Sequence, residues 1–170
     1  AAFELAYDGV DWQSANDNLV AQIRNVPADT GRVYWAGWAA GMSSSHRIVI
    51  EAYSGEETNF VDDAFGGRIE DDQLFTENTN AFFLDVKSME FDVNAAYACN
   101  ITGNASGNEY RFSKCMFRDG TTNGISVATV GTTTIYIGGC LFKNFDASFA
   151  SGFNQNDADS TATIINCDGL

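Results

Sequence analysis

The sequence predicts an all-β fold, a short parallel β-helix closed at its start by a capping α-helix. Three observations predict it. The stretches "YRFSKCMF" at 110–117, "IYIGGCLF" at 135–142 and "TIINC" at 163–167 are near-copies of one another. Aligned, they place Met89, Cys115, Cys140 and Cys167 in one column, with steps of 26, 25 and 27 residues. Between the copies lie turn formers, "TGNASGN" at 102–108, "RDGTTNG" at 118–124 and "NQNDADS" at 154–160. A period of about 25–27 residues that holds two or three short strands and polar turns, without helical periodicity, is the mark of a solenoid.

The elements follow in order. Residues 1–30 form an N-terminal capping segment. Within it "DWQSANDNLVAQI" at 11–23 sets Trp12, Ala15, Leu19 and Ile23 at helical spacing, with Pro27 beyond. A helix there covers strand edges and apolar core that would otherwise meet water. Residues 31–170 form the β-helix domain. Its first strands, in "GRVYWAGW" at 31–38 and "HRIVIEAY" at 46–53, show no clean register with the later coils. The step from Arg47 to Phe82 is 35 residues, so the acidic stretch 55–80 reads as an insertion.

From there the coils are regular. Val86, Phe112, Ile137 and Ile164 form one column, and Leu84, Tyr110, Ile135 and Ala162 another two residues earlier, the period of a strand. A second strand follows in each coil: "YACNI" at 97–101, "GISV" at 124–127 and "FASGF" at 149–153. Equivalent positions of successive coils stack about 4.8 Å apart. The Met89, Cys115, Cys140, Cys167 column is therefore an interior ladder of small polarizable groups, flanked by Val86, Phe112, Ile137 and Ile164. Stacked parallel strands give poor disulfide geometry, which favours packing; two disulfides are the alternative reading of four cysteines.

Composition excludes several function classes. With 9 basic and 23 acidic residues the formal net charge is -14, which repels phosphate backbones and anionic lipid and speaks against nucleic-acid and membrane partners. No run reaches the ~18 apolar residues of a membrane span. The start "AAFELAYDGV" has neither a basic nor an apolar leader region. There is no C-x-x-C pair and one histidine, His46, so zinc spacing is absent and neither metal nor cofactor is expected. Polysaccharide cleavage would require carboxylates facing one another across a groove. The candidates Glu56, Glu57, Asp62, Asp63, Glu70, Asp71 and Asp72 crowd instead into the acidic stretch and read as a solvated loop, so no catalytic residue is assigned. Arg111, Lys114, Arg118 and Lys143 recur near the coil turns and read as a solvated edge.

The run made of the N-terminal helix, "RVYWAGW" at 32–38, "SSSHRIVIEAYSGEE" at 43–57, an acidic loop, "FFLDVKSMEF" at 82–91 and coils bearing "CMF" or "CLF" resembles the N-terminal portion of pectin-lyase-like proteins of the bacteriophage and environmental type. The resemblance implies a right-handed β-helix. It also implies a non-enzymatic virion protein made in the host cytoplasm, with capsid or other virion proteins as partners. Capsid decoration comes first, a tail or fibre component next, and a polysaccharide-binding or polysaccharide-cleaving module is the alternative. A secreted or cell-surface subunit is a third option.

Aromatic residues make up 13% of the chain, more than a thin solenoid can hide. Phe142, Phe145, Phe149 and Phe153 crowd near the C-terminus, with Trp35 and Trp38 upstream. These six are the candidate interface. The chain stops at "CDGL" part-way through a coil with no capping element. Both features predict a homo-oligomer or another assembly that covers the last coil.

Overall fold

The computed structural model describes residues 18–23, 33–36, 42–55, 57, 67–70, 74–78, 80–92, 97–103, 105–120, 123–129, 131–144, 153–155 and 159–168. Among the described residues fifteen strands follow one another: β1 (Leu19–Ile23), β2 (Val33–Ala36), β3 (Ile48–Ala52), β4 (Gly67–Glu70), β5 (Leu74–Asn78), β6 (Phe83–Lys87), β7 (Met89–Asp92), β8 (Tyr97–Gly103), β9 (Asn108–Ser113), β10 (Met116–Arg118), β11 (Asn123–Thr129), β12 (Thr133–Gly138), β13 (Leu141–Lys143), β14 (Phe153–Gln155) and β15 (Thr161–Ile165). From β3 onward they fall in turn to three sheets. Sheet A runs β1-β3-β6-β9-β12-β15, sheet B β13-β10-β7-β4 and sheet C β14-β11-β8-β5-β2. All ladders are parallel, so each pass through A, B and C closes one coil of an all-β parallel solenoid.

The register follows the columns read in the sequence. Leu84, Tyr110, Ile135 and Ala162 pair in succession, as do Val86, Phe112, Ile137 and Ile164. Phe91, Phe117 and Phe142 are partners in sheet B. Their rings stack, with centroids 5.0 and 4.9 Å apart and planes within 7° and 11° of parallel. Phe112 meets Phe117 edge-on at 5.9 Å, so aromatic contacts tie sheet A to sheet B across the core. Strands β9 and β12 alternate buried and more exposed positions, the period two of a sheet with one face on the core.

The corner between sheets A and B turns at one residue in each coil. Ser88, Lys114, Gly139 and Asn166 adopt φ of 54°, 54°, 59° and 53°, the left-handed conformation that reverses the chain's course in one step. The N–H of Ser88 donates to Ser113 O, that of Lys114 to Gly138 O and that of Gly139 to Ile165 O, each at 2.9 Å. The corners are thus stacked on one another. At the corner between sheets C and A, Asn108 is buried: its Oδ1 accepts from Phe82 N–H at 3.0 Å, and its Nδ2 donates to Ala105 O at 2.8 Å and Thr133 Oγ1 at 3.3 Å.

Three expectations change. Leu19–Ile23, the end of the expected helix over 11–23, is strand β1, paired with β3. Leu19 and Ile23 are four residues apart, a spacing that serves a strand face as well as a helix face; residues 11–17 lie outside the described set. The segment around "HRIVIEAY" is in register after all, Ile48 with Leu84 and Ile50 with Val86. The acidic stretch 55–80 is not wholly an insertion, because β4 pairs with β7 and β5 with β8 inside it. The added residues lie between β3 and β4, where later coils turn in one to two residues. Of the second strand expected at 149–153 in the last coil, Phe153 lies on β14, and residues 149–152 lie outside the described set.

Candidate functional site

The interior ladder sits where sheet A turns into sheet B. Each of its cysteines follows a left-handed corner residue, which brings the thiol back over the end of its own strand. Cys115 Sγ lies 3.5 Å from Val86 O and 3.4 Å from Ser113 O. Cys140 Sγ lies 3.6 Å from both Phe112 O and Gly138 O, and Cys167 Sγ 3.6 Å from Ile137 O and 3.5 Å from Ile165 O. A thiol is small enough for this position and is a weak donor to carbonyls at the corner. All four cysteines are free, and Cys99, Cys115 and Cys140 are buried. Burial pushes the Cys99 and Cys115 thiols well above their ordinary pKa, which keeps them protonated and inert. Met89, Val86, Phe112 and Ile137 are buried beside them.

Charged side chains near the strands are mostly engaged with one another. Arg47 is 3% exposed; its Nε donates to Asp85 Oδ1 at 2.6 Å and its Nη1 to Glu109 Oε1 at 2.8 Å. Glu109 also holds Arg111 at 2.6 Å, and Arg111 lies over the Tyr136 ring at 5.4 Å. On sheet B, Glu90 is fully buried and accepts from Arg118 Nε at 2.6 Å, while Arg118 Nη2 reaches Asp92 at 2.7 Å. Arg68 pairs with Asp92 as well. Burial raises the Glu90 pKa, opposed by its bond to Arg118. These networks bridge adjacent coils. They were not legible in the sequence, because "MEF" and "FRD" have the alternation of ordinary half-exposed strands.

The remaining chemical candidates have local partners. His46 Nδ1 lies 3.0 Å from Ser43 Oγ inside a tight turn. Glu57 accepts from Gly55 N–H at 3.1 and 3.0 Å, which holds its carboxyl below the usual range; Glu56, Asp62, Asp63, Asp71 and Asp72 lie outside the described residues. A groove of about 290 Å³ lies between Gln22, Glu51, Glu57, Lys87 and Ser88. Among the described residues no group of three or more His, Cys, Asp or Glu is arranged to hold a metal ion.

The ends of the solenoid are different. Ile137 and Phe112 are each 1% exposed, yet Ile164, the next member of their column, is 39% exposed, and its outward neighbour Ile165 is 56% exposed. Cys167 is likewise only half-buried. At the far side of sheet A, Val20 on β1 is 47% exposed, and Leu19, Ala21 and Ile23 are half-buried where Ile48, Ile50 and Ala52 beneath them are buried.

Of the six candidate interface residues, Phe142 is a core residue, 3% exposed and stacked on Phe117. It fills the aromatic column and offers no surface. Trp35 and Phe153 occupy the two end strands of sheet C, β2 and β14. Trp38, Phe145 and Phe149 lie outside the described residues. Ile164 and Ile165 are surface that sequence reasoning missed, because the repeat column assigns Ile164 the burial of its neighbours.

Comparison with protein-family models, with curated proteins and with solved structures returns no match. The parallel solenoid therefore rests on its own ladders and register.

Proposed function

We propose that this chain is a non-enzymatic structural protein whose work is adhesive, a short right-handed β-helix built into a larger particle through its ends. The observation that carries the reading is the open end of sheet A, where an apolar interior column reaches the surface at Ile164 beside Ile165. Exposed apolar side chains on a sheet edge mark an interaction site. The resemblance in the sequence makes a bacteriophage virion the particle of choice, with decoration of the capsid ahead of a place in the tail or fibre. Many identical weak contacts on such a particle add up to firm attachment.

Co-sedimentation tests the reading. The full chain is mixed with capsids purified from its source and spun through a cushion. The protein should pellet with them and stay in the supernatant alone; a chain left behind in both cases would remove the virion assignment.

The groove beside Glu51, Glu57 and Lys87 favours a second reading, a module that binds or cleaves acidic polysaccharide. Release of new chain ends from polyuronates, lost in Glu51→Gln, would move the assignment there.

A further inference from the structure

We infer that the partner of the open end of sheet A is the opposite end of a second copy, with β15 of one copy pairing in parallel with β1 of the next. This rests on the reading that the chain works by assembly, and it names the partner.

The backbone groups are set for the junction. Leu19 N–H donates to Arg47 O and Ile23 O accepts from Tyr53 N–H, so the inward residues of β1 turn their peptide groups toward β3. By the alternation of a parallel ladder, Val20 and Gln22 turn theirs to the free edge. On β15, Ile165 O accepts from Gly139 N–H, which leaves the groups of Ala162 and Ile164 on its free edge. Among the described residues no strand pairs with either edge. Joined in the register of the rest of the sheet, the donors and acceptors of Ala162 and Ile164 meet those of Val20 and Gln22.

The side chains are complementary in size. Continuing the interior columns sets Ala162 beside Leu19 of the next copy and Ile164 beside its Ala21. A small residue faces a large one at both inward positions, and the chain already pairs Ala21 with Ile50 in this way. On the outer face Ile165, 56% exposed, comes beside Gln22, and Thr163 beside Val20, 47% exposed. The sequences of the two ends, LVAQI and TATII, contain no charge and no proline, the devices that normally keep edge strands apart. Because the two surfaces differ, the contact is heterologous and generates an open stack.

Sedimentation velocity on the full chain tests this, in about 0.5 M salt so that the Debye length falls to about 4 Å and the repulsion of the net charge of -14 is screened. Val20→Pro blocks one end, at an N–H that faces the free edge, and Ile164→Lys the other; circular dichroism checks that both fold, and Ile165→Lys, at an exposed position, serves as a second block of the β15 end. Wild type should grow past the dimer with concentration. Each variant alone should associate at least tenfold more weakly, and an equimolar mixture of Val20→Pro with either lysine variant should form a one-to-one dimer and stop there. Variants that fail to complement while wild type associates would show like ends or flanks meeting, and would overturn the inference. A monomeric wild type overturns it too. If that monomer still pellets with capsids, the proposed function stands and only the partner is wrong; if it does not, both fall.

Discussion

Lys114 carries a long exposed side chain in a conformation that suits glycine. Its φ of 54° is shared by Ser88 and Asn166, while the same corner one coil after Lys114 uses Gly139. Left-handed backbone costs an L-residue roughly 1–2 kcal/mol, and glycine loses part of that advantage through its freer unfolded chain. Lys114→Gly should therefore raise stability by about 0.5 kcal/mol in urea unfolding. The thiols give a second prediction: in the native protein a thiol-specific reagent should modify Cys167 first, and Cys99 and Cys115 only as the chain unfolds, because Cys99 and Cys115 are buried and Cys167 is half-buried. The cysteine column was legible in the sequence because one residue type recurred at a fixed step. The corner that makes the column was not, since Ser, Lys, Gly and Asn share a backbone angle there and no side-chain property.

Sheet B depends on a charge arrangement that its strands do not advertise. Glu90 on β7 is fully buried, held by Arg118 on β10, with Arg68 on β4 and Asp92 close by. Burial raises its pKa, so the native protein takes up this proton before the unfolded chain does. As pH falls from neutrality through the folded pKa toward the ordinary glutamate value, this site adds stability; below both values the gain is complete. Glu90→Gln lacks the proton and hence the gain. The stability of wild type relative to Glu90→Gln should rise as pH falls from neutrality to the ordinary glutamate value in parallel urea titrations, and a difference that is flat or falls over that whole range would refute this role for the buried carboxyl. At this scale the sequence placed strands β6 to β13 well, because stacked coils repeat their apolar columns. It misplaced β1, β4 and β5. The spacing of Leu19 and Ile23 fits helix and strand alike, and the longer connection after β3 broke the period just where β4 and β5 resume it.

Among the described residues the solenoid is a column of like residues, whose inward positions on sheet A are buried in the middle strands and less buried on the end strands β1 and β15. The sequence foretold a solenoid, but assigned the candidate interface to a phenylalanine cluster with Trp35 and Trp38. Phe142, the member of that cluster with a described side chain, completes the aromatic stack with Phe91 and Phe117. Among the described residues Tyr136 on β12 is exposed on the outer face beneath Arg111, while the exposed aliphatic side chains of sheet A, Val20, Ile164 and Ile165, lie on its two end strands. That location gives growth along the axis rather than across it. Six strands of sheet A at about 4.8 Å each give an axial advance of about 29 Å per copy. Small-angle X-ray scattering of the full chain over a concentration series tests the account most directly. It predicts a cross-section that stays constant while the particle lengthens in steps of about 29 Å; a cross-section that thickens with concentration, or a particle that never lengthens, would contradict it.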